Sequence, residues 1–172
     1  MERKIEKHFL DESLGFPVLL MGVPMKKVRD EWIPDIRLNE FQEVVLWILA
    51  HNASPLTGKQ VRFIRHWMGQ TQKDFAAIHD VTHAAVSKWE AKAHDPTGMS
   101  KPTEILLRLN ILTALPRELW ERLEGPGSED DKPASLRRLL DEVGQFEDDP
   151  SPEEPVTVPE TYIAGTGRLP LR

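Results

Sequence analysis

Residues 70–90 constrain the fold of this chain more than any other stretch, because they carry the boundary signals of two short helices. The segment reads QTQKDFAAIHDVTHAAVSKWE. Thr71 is a good helix N-cap, and Asp74 three residues later completes a variant of the capping box. Asp80 is one of the few non-glycine residues that tolerates a left-handed turn. Thr82 then caps a second helix. The pattern predicts two helices joined by a tight turn.

The two predicted helices each have an apolar face. Phe75, Ala76 and Ile78 form that of the first helix, and small Ala76 allows a second helix to cross closely. In the second helix the residues at inward spacing are Ala85, Val86 and Trp89, and those left on the outward face are His83, Ala84, Ser87 and Lys88. This is the layout of a helix-turn-helix whose second helix can enter a major groove.

The stretch resembles the DNA-binding domain of phage Cro and repressor proteins, the XRE-type helix-turn-helix family. The positions that carry the resemblance are Thr71-Gln72, Ala76, Val81-Thr82, Val86-Ser87-Lys88 and Trp89-Glu90, and it spans residues 56–113. Residues 55–65, PLTGKQVRFIR, look like the start of this domain in MqsA-type antitoxins of toxin–antitoxin systems. The resemblance implies a cytoplasmic, nucleoid-associated repressor that binds double-stranded DNA.

Site residues follow from the outward face and from the resemblance. In the repressor family an arginine placed like Arg65 pairs with the glutamate matching Glu90, which ties the first helix to the recognition helix. The residues expected to face bases are His83, Ala84, Ser87 and Lys88. Those expected to contact phosphate are Lys59, Arg62, Thr71, Gln72 and Lys92. We expect a homodimer on an inverted-repeat operator, with its recognition helices ~34 Å apart.

The distribution of charge is compatible with DNA contact although the total is acidic. The net charge is −6, yet residues 57–115 carry eight Lys/Arg against five Asp/Glu, while residues 116–172 carry seven against fourteen. A mildly basic domain followed by an acidic segment fits local contact with a duplex. The chain has no cysteine, which excludes disulfides and thiolate metal sites. No apolar run approaches the length of a membrane span, so a soluble protein without a membrane partner is expected.

The N-terminal 54 residues are less informative. The apolar run at 16–25 and the weak alternation at 26–33 fit either two strands around a turn or one strand and a loop. In MqsA-type antitoxins this region is a zinc-binding domain that holds the toxin. Zinc requires thiolate or imidazole ligands at close spacing, and here there is no cysteine and His8 stands alone. A small β-element packed on the next helix is therefore expected, without a metal.

Residues 38–51 should form a helix with apolar residues on most of its circumference. Two interpretations remain open: a core helix covered on both sides, or a dimer helix that contributes Trp47 to a two-fold interface. Further on, residues 103–115 should form the last helix of the bundle. Its expected core stripe consists of Ile105, Leu106, Leu109 and Leu112, extended by Leu107 and Ile111.

The C-terminal residues 116–172 are rich in acidic residues and proline, a composition that cannot bury a core. One or two helical turns at 116–123 and a short amphipathic helix at 134–143 are expected within a largely disordered tail. A sharper alternative is a segment that orders on a partner or competes with DNA for the basic face.

The sequence thus predicts a mainly α protein in three parts. These are a small α/β N-terminal element (1–54), a Cro/repressor-like bundle (55–115) and the acidic tail (116–172). The expected function is sequence-specific repression, extended by the antitoxin resemblance to autoregulation of an operon that includes a toxin. The alternative is a protein-interaction module that keeps the helix-turn-helix fold with little DNA binding. No nucleophile–base set, phosphate loop or metal cluster stands out, so neither an enzyme nor a cofactor is expected.

Overall fold

The structure is a computed structural model that describes residues 2–124 and 154–163. These residues form seven helices and one four-stranded sheet. The strands are β1 (Arg3–Asp11), β2 (Val18–Val28), β3 (Glu31–Pro34) and β4 (Val156–Val158). The helices are α1 (Leu38–His51), α2 (Gly58–Trp67), α3 (Gln72–Ile78), α4 (His83–Ala91), α5 (Lys101–Ala114), α6 (Arg117–Glu124) and α7 (Glu160–Ile163). The sheet contains β1 and β3, antiparallel to β2, and β4, parallel to β2.

The long strand β2 is the centre of the sheet. Of the two readings of residues 16–33, two strands around a turn is confirmed, since β2 and β3 pair from Met25–Pro34 to Val28–Glu31. The alternation of buried residues along β2 shifts by one position at Gly22. Val18 and Leu20 are buried before it, and Val23 and Met25 are buried after it. Gly22 has a φ of +64°, a conformation that side chains disfavour.

The fourth strand comes from the other end of the sequence. Val156 pairs with Val18 and Val158 with Leu20, and both valines are buried. The expectation of a tail without structure is therefore wrong for residues 154–163, because their alternating valines can bury themselves against β2 and α1. α7 packs close to the same strand: a Cβ on Gly22 would lie 2.5 Å from Cγ of Glu160. The helix predicted at 134–143 and the acidic stretches around it lie outside the described residues.

Helix α1 is a core helix, the first of the two interpretations left open by its sequence. Seven of its residues are buried: Phe41, Val44, Val45, Leu46, Trp47, Leu49 and Ala50. The Trp47 ring packs edge-on against Trp120 of α6, with centroids 4.7 Å apart. α1 lies between the sheet and the C-terminal helices, so its apolar surface is used within one chain. Dimerisation through Trp47 would require this packing to open.

Helices α2, α3 and α4 each begin directly after a threonine N-cap, as predicted for Thr71 and Thr82. Thr57 and Thr71 each form a reciprocal capping box, and the Thr82 hydroxyl accepts from the Ala85 amide. Asp80 lies in the turn between α3 and α4 with a φ of +51°, as its position suggests. The two short helices predicted for residues 70–90 are confirmed.

A buried arginine joins α5 to the end of α1. Arg108 is fully buried, and its guanidinium donates to the carbonyls of Leu49 (2.6 Å), Asn52 and Ser54 (2.8 Å). It also donates to the Glu104 carboxylate at 2.6 Å, and Glu104 accepts from the Leu56 amide at 3.1 Å. This set of contacts, the Arg108 clamp, satisfies the backbone where the chain leaves α1 and approaches α2.

The Arg108 clamp also changes which face of α5 is buried. Leu107, Ile111 and Leu112 are in the core, but Leu106 is 38% exposed and Ile105 and Leu109 are only partly buried. The predicted stripe is confirmed for Leu107, Ile111 and Leu112 and wrong for Leu106. It also left out Glu104 and Arg108, which face inward. Among the described helices none combines the length and the apolar character needed to cross a membrane.

Candidate nucleic-acid interface

Helix α4 exposes a strip of side chains while its opposite side is fixed in the core. Val86 and Trp89 are buried. The residues that the sequence placed outward are all exposed: His83, Ala84, Ser87 and Lys88. We refer to these four as the α4 outer face. It carries imidazole, hydroxyl and ammonium groups, which can donate to base edges, and a methyl group that can contact thymine.

A buried ion pair fixes the orientation of α4. Nε of Arg65 lies 2.6 Å from Oε1 of Glu90, and Nη2 lies 3.0 Å from Oε2, so the pair is bidentate. Both side chains are less than a tenth exposed. Nη1 of Arg65 also donates to the Gln70 carbonyl at 2.8 Å, at the start of α3. The structure therefore brings together the two residues that the repressor resemblance pairs, and it links α2, α3 and α4 at one point.

Gln72 is the third member of this cluster. Its Nε2 donates to Oε2 of Glu90 at 2.8 Å. Burial opposes ionisation of Glu90, but the hydrogen bonds from Arg65 and Gln72 outweigh it and lower the pKa of that carboxyl. Gln72 was expected to contact phosphate; one of its two amide hydrogens is used by Glu90, and the other remains for an outside acceptor.

The side chain of Thr71 is occupied by its cap. The hydroxyl donates to Oδ2 of Asp74 at 2.6 Å and accepts from the Asp74 amide at 3.2 Å. The bond from the hydroxyl, and then a bond from the Thr71 amide to Oδ2 at 3.3 Å, lower the pKa of the Asp74 carboxyl. In this geometry the Thr71 hydroxyl has no proton left for a phosphate, so the contact predicted for it would require the capping bond to break. The structure places Thr71 as a cap.

Gly58 allows the start of α2 to lie against the end of α4. A Cβ at this position would lie 2.3 Å from the Trp89 carbonyl oxygen and 2.8 Å from the Ala93 nitrogen. The amide of the next residue, Lys59, donates to the Ala93 carbonyl at 2.8 Å. Only glycine permits this approach, which holds the C-terminal end of α4, the same end that carries the Arg65–Glu90 pair.

Two of the predicted phosphate contacts line a cleft to which the α4 outer face does not contribute. Lys59 and Arg62 line a cleft of about 760 Å³ between α2, α1 and the β1–β2 turn, together with His66 and Glu43. Burial, and then the nearby Glu40 charge, raise the pKa of the Glu43 carboxyl. No residue of α3 or α4 lines this cleft. Lys92 is exposed and follows directly on α4, where it continues the line of Lys88.

Sequence reasoning missed the buried role of His79. Its ring is 3% exposed and packs on Phe75, with centroids 4.3 Å apart. Nδ1 lies 2.8 Å from the Phe75 carbonyl, and Nε2 lies 3.2 Å from the Asn110 amide nitrogen. A neutral ring with its proton on Nδ1 satisfies both contacts. His79 thereby links α3 to α5.

Comparison of the chain with protein-family models, with curated proteins and with solved structures finds no match.

Proposed function

We propose that this chain is a sequence-specific DNA-binding transcriptional regulator that acts as a repressor and reads base edges with the α4 outer face. The observation that carries the proposal is the combination of an exposed polar strip with a helix held rigidly from behind. The Arg65–Glu90 pair, Gln72 and Gly58 all fix α4, and none of them occupies the exposed strip. A binding surface built on a rigid element loses little freedom when it docks.

The dimensions and chemistry of α4 suit a major groove. The groove is about 12 Å wide and admits one helix. Lys88 can donate to guanine O6 and N7, His83 and Ser87 can exchange hydrogen bonds with a base, and Ala84 can touch a thymine methyl. Only Lys88 among the four residues carries a permanent positive charge, so the α4 outer face offers few groups that can distinguish base pairs. Specificity should therefore be modest or depend on the shape of the DNA.

Backbone contacts would come from several positions around α4. Lys92 continues the strip, and the second amide hydrogen of Gln72 lies near the start of α3, where free amides favour an anion. Lys59 and Arg62 line the cleft between α1 and α2. They reach phosphate only if the duplex extends from the α4 outer face as far as this cleft. A cytoplasmic, nucleoid-associated homodimer on an inverted repeat is part of the proposal.

Binding should be measured by fluorescence anisotropy with the intact chain at several salt concentrations. The duplexes are the DNA upstream of its own reading frame and sequences selected from a random pool. A steep fall of affinity with salt is expected, because phosphate contacts release counterions. Binding to no duplex at low salt would contradict the proposal.

The test of the α4 outer face is Lys88→Ala. We expect it to weaken the selected sequence by about tenfold or more, roughly 1–3 kcal/mol for a base contact, and to flatten the preference at one base pair. Lys27→Ala is the matched control, since it removes the same charge from strand β2, where Lys27 contacts Glu2 at 3.4 Å. Equal behaviour of the two variants would show that another surface binds the DNA.

An antitoxin role is a narrower form of the proposal. It rests on the resemblance of residues 55–65 and predicts a reading frame for a toxin beside that of this chain. Co-expression followed by co-purification of the neighbouring product tests it directly. The alternative, a protein-interaction module, would hold a partner with the apolar residues of α1 or with the acidic tail. The first surface is not available, because the apolar residues of α1 are buried inside the chain.

A further inference from the structure

Strand β1 has an unpaired edge that is long for a protein of this size. It runs for nine residues and pairs on one side with β2; within residues 2–124 and 154–163 no strand pairs with its other side. Ile5 is 70% exposed and Leu10 is 54% exposed on this strand. The opposite edge is different, since it consists of two short strands: β3, with four residues ending in Pro34, and β4, with three. A long open edge with exposed apolar residues is a template for another strand.

Geometry limits how β1 can pair with a second copy of itself. In an antiparallel pair, residues whose N–H and C=O point toward the partner strand lie opposite each other. Residues whose N–H and C=O point away from the partner strand also lie opposite each other. A residue can therefore face only residues an even number of positions away. Every allowed two-fold register has one residue opposite its own copy. A centre at Lys7, the middle of β1, is the register that pairs all nine residues.

The charges of β1 favour the same centre. With the axis at Lys7, Arg3 faces Asp11, Glu6 faces His8 and Ile5 faces Phe9 of the other copy, each pair occurring twice. Opposite charges and apolar pairs across strands are stabilising. Moving the axis to Glu6 would place Glu6 opposite Glu6, and moving it to His8 would place Ile5 opposite Asp11. In the Lys7 register the only like-charged pair is Lys7 with itself.

We propose that two copies of this chain pair through β1, antiparallel about a two-fold axis at Lys7, to form one sheet that is continuous across the dimer. The contacts that Arg3 makes within the chain allow this: it lies 3.4 Å from Asp35 and its side chain is 56% exposed. Lys4 and Glu6, 2.8 Å apart, stay on the same strand. The pairing of β1 is argued independently of DNA binding. Only the use of this dimer on an inverted-repeat operator rests on the proposed function.

The absence of cysteine from the sequence gives a direct test of the register. In the full chain, Lys7→Cys should form an intermolecular disulfide under mild oxidation, because directly opposite residues have Cα atoms within the disulfide range of about 4.4–6.8 Å. Lys4→Cys is the matched control, since six residues of offset separate the two copies by about 20 Å. Cross-linking of Lys7→Cys alone supports the register. No cross-link, or equal cross-linking of both variants, overturns it.

Sedimentation equilibrium of the full chain tests the strength of the interface. Ile5→Asp should weaken the dimer at least about tenfold, since it removes two apolar pairs. Leu38→Asp is its control, a 57% exposed leucine at the start of α1 that should have no effect. Lys7→Thr should tighten the dimer because it removes the like charges. A monomeric wild type, or a dimer that none of these variants changes, overturns the proposal.

An exchange of charges between Arg3 and Asp11 distinguishes a weakened dimer interface from a loss of folding. Arg3→Asp and Asp11→Arg should each weaken the dimer, and the double variant should restore it, since the opposite charges then face each other again. Failure of the double variant to recover would contradict the Lys7 register. If the dimer behaves as expected but no duplex binds, only the proposed function fails. If DNA binds to a chain that never dimerises, this inference fails together with the homodimer included in the proposed function, whereas the assignment of DNA binding stands.

Discussion

The α3–α4 unit and the four-stranded sheet are assembled from the sequence in opposite ways. The unit occupies consecutive residues, 71–91, and each of its two helices starts at a threonine whose side chain caps it. The sheet combines residues 3–34 with residues 156–158, and the two parts are separated by all the helices of the bundle. One region is encoded locally, and the other depends on a contact between the two ends of the chain.

This difference predicts different sensitivities. Signals such as Thr71, Thr82 and Asp80 specify local conformation whether or not the rest of the chain has folded. β4 has no such signal, and its three residues form a strand only by pairing with Val18 to Leu20. The Arg108 clamp lies between these extremes, because it joins the end of α1, which packs on the sheet, to α5 of the bundle.

The largest effect should come from the clamp. Arg108→Met keeps an unbranched side chain of similar length but leaves Glu104 buried without its cation, and it removes the donors of three carbonyls. We expect it to lower the free energy of unfolding by about 3–5 kcal/mol. Both regions should unfold in one transition at lower denaturant concentration, as measured by circular dichroism and tryptophan fluorescence.

Arg37→Met is the control for this prediction. Arg37 pairs with Glu40 at 2.5 Å, but its side chain is 61% exposed, so the loss should stay below about 1 kcal/mol. The double variant Arg108→Met/Glu104→Gln should recover part of the stability, because a neutral amide oxygen can still accept from the Leu56 amide. If Arg108→Met affected only one region, the clamp would not be the link between them.

The helical region could largely be predicted from its residues. The starts of α2, α3 and α4, the left-handed Asp80 and the inward and outward sides of α4 all follow from caps and helical spacing. The pairing of Arg65 with Glu90 was anticipated only through the family resemblance, since two charges 25 positions apart give no local signal. The bond from Gln72 to Glu90 was not anticipated, because a surface glutamine at a helix start has many partners to choose from.

The errors have one physical cause, which is burial that depends on distant partners. The stripe of α5 was assigned from its apolar residues alone, whereas Glu104 and Arg108 are buried because they satisfy each other and the end of α1. The i, i+4 spacing of these opposite charges within an apolar helix was a signal that could have been used. β4 was missed because three residues in a proline-rich, acidic context have no periodicity long enough to detect.

Strand β4 provides the sharper test of long-range assembly. Val158→Ala removes two methyl groups from a side chain that is 1% exposed, and should cost about 2 kcal/mol. Thr157→Ala is the matched control, since Thr157 is exposed on the same strand. Hydrogen exchange should increase in Val18–Leu20 for Val158→Ala, with little change in α4. Equal loss of protection in both regions would show that the sheet and the α3–α4 unit do not open separately.

The smallest of the three effects should be a pH dependence that belongs to the helical region. Burial lowers the pKa of His79 below its ordinary value near 6.5, although the bond to the Phe75 carbonyl opposes this shift. The unfolded chain therefore binds the proton first as the pH falls, and the stability due to neutral His79 is lost from the ordinary pKa downward to the folded-state pKa.

His79→Leu should remove this component from the difference between the free energies of unfolding at about pH 8 and about pH 5. The control is His83→Leu, which makes the same exchange at an exposed position of α4. A pH dependence that persists in full in His79→Leu would show that the stability of the α3–α4 unit does not depend on the charge state of this ring.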